Sequence, residues 1–220
     1  AFYRLNWRTF TLHHLGVSSL NLFGWAFVFW TPTFFQRVHG IPAGEAAQMF
    51  GAIFTILGPL GTLSAPILAR YLGARGRKDA NVLAMMAGAF VSIPAIISIQ
   101  LLPDLSWVWL LYAPASLFVT MPFGLAQGSL TVVTPPHMRA QVASVYWVVV
   151  SVIGMGAGPV VAGLGSDILF TGEQGLRYSL TLVTVVFGPL GIGLLWLGRR
   201  PYARSLARAD VLHEAEVLVK

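Results

Sequence analysis

The side chains able to do chemistry in this sequence are uncharged polar ones, and they recur at helical spacing inside apolar stretches. His14, Ser18, Asn21 and Trp25 follow at steps of four, three and four, so a single helix face carries all of them. Tyr112, Ser116, Thr120, Phe123, Gln127 and Thr131 define a second such face. Gln48 with Thr55, and Ser144 with Trp147 and Ser151, are shorter versions. Aromatic rings mixed with amides and hydroxyls suit an amphiphilic organic ligand held in a cavity. The competing reading is that these groups hydrogen-bond between helices and hold a bundle together. Asn21, Trp25, Tyr112, Ser116, Thr120 and Gln127 form the candidate cavity set, with the two long amides foremost. His13 and His14, near the start of their stretch, are open to an interfacial role or to titration.

Charge is placed quite differently. The eight acidic residues, Glu45, Asp79, Asp104, Asp167, Glu173, Asp210, Glu214 and Glu216, fall at the ends of apolar stretches, in the connections between them or near the C-terminus. Ionisable groups inside a membrane mark proton relays and ion sites, so the sequence holds no evident proton carrier. Catalytic patterns are missing as well. There is no G-x-S-G, H-E-x-x-H, P-loop or C-x-x-C, and there are no cysteines at all. No enzyme activity, cofactor or metal is expected.

The elements that must position the polar faces are membrane spans. The chain is 56% hydrophobic and 10% charged, against about 25% charged for a soluble domain. Six apolar runs occur, at about 9–31, 46–69, 80–102, 107–133, 141–164 and 178–197, and a helix needs about 20 apolar residues to cross the hydrocarbon layer. In lipid the backbone must satisfy its own hydrogen bonds, so the runs are read as helices. The fold class is therefore all-α and polytopic, with residues 1–200 as a six-helix domain and 201–220 as a tail. Pro59, Pro66, Pro94, Pro114, Pro122, Pro159 and Pro189 predict kinked helices. The fifth run also carries Gly154, Gly158 and Gly163, which with Pro159 read either as tight packing or as a seam that slides or bends.

Of the 14 lysines and arginines, all but Arg37 and Arg177 fall in alternate connections on one side, with Arg75, Arg77 and Lys78 forming the most basic turn. The net charge of +6 thus reads as topology and not as nucleic-acid binding. It predicts a multi-pass protein of the cell inner membrane with both termini in the cytoplasm. The tail, basic first and acidic later, with Leu206, Leu212 and Val217 loosely on one face, reads as an amphipathic surface helix or a solvated end. The chain opens at Ala1 with no initiator Met and no signal-peptide pattern, and is expected to be part of a longer chain or a processed one.

Trp30-x-Pro32 followed by Arg37-Val38-His39-Gly40, the basic turn after the second run, Pro135-Pro136-x-Met138-Arg139-Ala140, Gly154-x-Gly156-x-Gly158-Pro159 and Ser166-Asp167 resemble, in order and spacing, the C-terminal six-helix half of a major facilitator superfamily transporter. The likeness runs to the bacterial Spinster-like members. It implies two pseudo-symmetric halves, a central cavity lined by the first and fourth spans, and alternating access by rocking of the halves. Secondary active transport of a small organic or amphiphilic solute, an organic anion or a lysolipid-like molecule, follows as symport or antiport. The implied partners are membrane lipid, the solute and an N-terminal transporter half. The superfamily's cytoplasmic G-x-x-x-D-R-x-G-R-R keeps only its glycine and basic end here. The alternative function is a membrane scaffold that retains a half-transporter fold without moving solute.

Overall fold

A computed structural model describes residues 2–218. Every regular element among them is helical. The helices are α1 (Phe2–His39), α2 (Ala43–Ala74), α3 (Ala80–Leu101), α4 (Leu105–Thr120), α5 (Phe123–Val132), α6 (Arg139–Val150), α7 (Ala157–Leu164) and α8 (Gly175–Leu218). Two π-helical segments, Ser151–Gly156 and Gly165–Leu169, flank α7. Five stretches are long and apolar enough to cross a membrane: Ala43–Ala74, Ala80–Leu101, Leu105–Val132, Pro136–Leu169 and Gly175–Ala209. The six expected runs thus return as five. Run 9–31 lies in α1, whose 38 residues are long enough but whose polar face keeps it less apolar than the rest.

That polarity has a packing reason. α1 is the innermost helix, resting against α8 along most of its length and against α2, α6 and α7. From His13 to Gly24 only Leu15 stays exposed, and His13, His14, Ser18, Ser19 and Asn21 are all buried. α3 packs between α4 and α8, and α2 lies against α4. α2 and the α6–α7 stretch bury the least of themselves, which leaves them at the rim.

The prolines act unequally. Pro32, Pro59, Pro66, Pro94, Pro114, Pro189 and Pro201 sit within continuous helices, where a lipid environment tolerates them. Pro122 does not. The expected fourth run breaks at Met121–Pro122 into α4 and α5. Just before Pro159, which lacks an N–H, the fifth run widens into the π segment Ser151–Gly156; such bulges absorb a disturbed hydrogen-bond ladder. α8 likewise runs past the expected boundary at Arg200. Tyr202 and Ser205 are buried, the first accepting from Asn81 Nδ2 at 2.9 Å. Of the tail, Lys220 and the side chains of Leu212 and Val217 lie outside the described residues.

Candidate functional site

The candidate residues separate into a buried group and a half-buried group. Tyr112 and Ser116 are fully buried, and Asn21 and Thr120 nearly so. Tyr112 lies among Phe27, Phe35, Phe50 and Trp109 and donates its hydroxyl to Thr31 Oγ1 at 3.4 Å. Thr120 donates to the Gly58 carbonyl of α2 at 2.9 Å, a contact allowed because Gly61 lets α4 approach. Asn21 donates from Nδ2 to Val17 O at 2.9 Å. Its Oδ1 and the Ser116 hydroxyl make no hydrogen bond within the described residues. Only Trp25 and Gln127 of the six reach the surface of the bundle.

Gln127 belongs to an open polar strip. Its Oε1 accepts from Trp147 Nε1 of α6 at 2.9 Å; Trp147 is half-exposed and Ser144 is exposed. On α2, Gln48 and Thr55 are exposed, and Thr62, seven residues beyond Thr55 and so on the same face, meets Gly124 of α5. The polar edge of α2 therefore lies on the side facing α5. Its other exposed edge, with Ile56, Leu60, Leu63 and Ile67, is wholly apolar. One rim helix thus carries two different surfaces side by side.

The glycine seam faces α1. A Cβ on Gly154 would stand 2.5 Å from Asn21 Cβ, one on Gly158 would strike the Leu22 carbonyl, and one on Gly163 would stand 3.0 Å from the Trp30 ring. Trp30 Nε1 also donates to Pro159 O at 2.9 Å. The small residues let two backbones come together where larger ones would hold them apart.

Two further clusters carried little sequence signal. His13 Nε2 pairs with Ser129 Oγ of α5 at 2.8 Å, and both histidines sit against Tyr146 well inside the bundle. Nothing in their spacing linked positions 13 and 129. At the other cluster, Arg77 grips Asp79 through Nε at 3.0 Å and through its terminal nitrogen at 3.1 Å, while Arg199 of α8 lies 3.6 Å away. Partial burial works to raise the Asp79 pKa, but the Arg77 hydrogen bond and the charges of Arg77 and Arg199 outweigh it and hold the carboxyl below its ordinary value. The basic turn thus docks onto α8. Arg75 lies over the Tyr71 ring at 4.1 Å, and Lys78 is exposed.

Among the described residues no His, Cys, Asp or Glu group of three could hold a metal ion. The chain is an all-helical, multi-pass membrane protein with an uncharged polar strip along its rim. No family model matches the sequence, and no curated protein matches it. The fold, however, is that of half of a solved transporter. It is similar to a bacterial homolog of the human lysosomal transporter Spinster in an inward-facing, occupied conformation, with a TM-score of 0.76 and 22% identity over 90% of this chain and 50% of that one. The inward-facing, unoccupied form gives a TM-score of 0.77 and 22% identity over 93% and 51%. The chain spans about half the length of the transporters it matches.

Proposed function

We propose that this chain is one half, the C-terminal one, of a secondary active transporter that moves a small organic or amphiphilic solute by alternating access, with α1 as a sixth span. The observation that carries the reading is the strip Gln48, Thr55, Gln127, Ser144 and Trp147 along apolar helices, all exposed but the half-buried Gln127. Amides and hydroxyls turned toward lipid are costly, so the strip faces a water-lined cavity shared with a second half. The half-length likeness to a transporter supports the same arrangement. Trp25 and Gln127 touch the solute directly. Asn21, Tyr112, Ser116 and Thr120 stand behind that wall and meet solute only where α1 and α4 part from it. The absence of charge along the strip favours a solute recognised by aromatic stacking and neutral hydrogen bonds.

The basic turn Arg75, Arg77 and Lys78 then faces the cytoplasm of an inner-membrane protein, with both termini on that side. The seam at Gly154, Gly158, Pro159 and Gly163 is the line along which α7 moves on α1. Transport of a fluorescent lysophospholipid and of an organic-anion dye by proteoliposomes tests the reading. Gln127→Ala and Asn21→Ala should lower transport while membrane insertion stays unchanged. Undiminished transport by both variants would overturn the cavity assignment.

A further inference from the structure

Three guanidinium groups that have no carboxylate partner among the described residues converge at one end of the bundle. Arg8 of α1 and Arg204 and Arg208 of α8 line a notch of about 90 Å³ between the two helices. Both ion pairs among the described residues end on Asp79, so none of the three arginines is spent on one. Among the described residues Arg208 hydrogen-bonds the Leu5 carbonyl alone, at 3.5 Å, and Arg8 lies 5.3 Å from the centre of the Trp7 ring.

The polar floor of the notch is hydrogen-bonded within itself. Ser205 donates to Asn6 Oδ1 at 2.8 Å and shares a 2.8 Å hydrogen bond with Thr9. Asn6 leaves helical geometry (φ −111°, ψ 17°), which opens the gap between the helix ends. A network with its own hydrogen bonds complete sets the spacing of the arginines and leaves their donors for a guest.

What lies beside the notch decides the kind of guest. Trp7 is more than half exposed, as suits an aromatic ring at the level of lipid headgroups. Leu15, seven residues beyond Arg8, and Leu197, seven before Arg204, are exposed on the same two faces. Seven residues of helix are about 10 Å, so a cationic notch sits directly above an apolar track on both helices. A soluble anion would make no use of that track, and a nucleic acid would not tolerate it. A notch of this volume holds a phosphoryl group and little more.

We propose that this notch binds the phosphoryl group of an anionic phospholipid, with the acyl chains lying along Leu15 and Leu197. The proposal rests on the reading of this chain as a membrane-spanning half with its basic end on the anionic leaflet. It deepens that reading by assigning a structural lipid to the α1–α8 contact, apart from the solute cavity.

Native mass spectrometry of the detergent-purified protein, titrated with phosphatidylglycerol or phosphatidylcholine, tests it. The wild-type protein should retain one phosphatidylglycerol about tenfold or more tightly than phosphatidylcholine, and Arg204→Gln/Arg208→Gln should lose that preference. Arg204→Lys/Arg208→Lys should keep most of it, and Arg75→Gln/Lys78→Gln should leave it intact. Should the double glutamine variant fail to fold by circular dichroism, Arg8→Gln alone should weaken retention several-fold. Equal retention of both lipids by the wild-type protein, or unchanged preference in the glutamine variants, would overturn the proposal. Displacement of the lipid by millimolar inorganic phosphate would also overturn it, because the guest would then be a soluble anion. A protein that moves no solute yet keeps the lipid preference would sink the transport reading alone.

Discussion

Replacing Gly154 by alanine probes the closest approach of the seam to α1. The added Cβ would stand 2.5 Å from Asn21 Cβ, where carbon atoms prefer about 3.5–4.0 Å, so the two segments must separate by about 1 Å or more. Asn21 Cβ is fixed to its backbone and cannot swing aside as a side-chain tip would. Overpacking of this kind costs about 1–3 kcal/mol. The helix preference of alanine over glycine returns about 1 kcal/mol, leaving a net loss of up to about 2 kcal/mol. For a chain of this size that is a fall of up to about 8 °C in Tm. Gly193 of the same bundle has nothing within 4 Å of its Cβ position, so Gly193→Ala should hold or raise Tm. Thermal unfolding in detergent, followed by the fluorescence of the seven tryptophans, measures both. A Tm for Gly154→Ala equal to or above that of Gly193→Ala would refute the close-packed seam. Transport per folded molecule separates the two roles of the seam: unchanged turnover means packing alone, and a fall beyond the loss of folded protein means movement.

Other outcomes follow from single contacts. Trp30→Phe removes the bond to Pro159 O and should cost about 1 kcal/mol in the same unfolding assay; no change would mean that the bond is made equally well by water. Thr120→Val removes the hydroxyl bonded to Gly58 O at nearly constant volume and should cost about 1 kcal/mol, with full stability counting against the α2–α4 contact. Asp79→Asn should change Tm only slightly near neutrality, since the Arg77 side of the pair is half-exposed. Because the folded carboxyl titrates below its unfolded value, its contribution is complete above about pH 4 and is lost as acid protonates it. The Tm gap between wild type and Asp79→Asn should therefore close toward low pH; a gap that widens there would reverse the sign.

Much of the fold was legible because lipid imposes long apolar runs, and those runs set the positions of α2, α3, α4 with α5, α6 with α7, and α8. The polar faces were legible as faces, but not what each face meets. The periodicity of Tyr112, Ser116 and Thr120 is the same whether the stripe turns to water or to α2, and here Gly58 and Gly61 of α2 draw it inward. Gln48, Thr55, Ser144 and Trp147 gave shorter patterns yet lie on the exposed rim. The break at Met121–Pro122 had a signal in Pro122, but Pro114 and Pro94 gave the same signal without a break. The His13–Ser129 pair and the docking of Asp79 on Arg199 depend on long-range geometry that no local pattern carries. The uninterrupted α8 reflects burial of Tyr202 and Ser205 beyond the last apolar run, a tertiary effect with no trace in hydropathy.

The absence of native cysteines makes one measurement direct. Single cysteines at Thr55, Gln127 and Ser144, and at Leu60 and Ile67 on the apolar edge of α2, can be tested in proteoliposomes with a membrane-impermeant thiol reagent. The first three should react, and transported solute should slow them, while the last two stay unlabelled. Equal reactivity of both sets, or an inert polar strip beside a reactive Leu60, would contradict the assignment of that strip to a solute pathway.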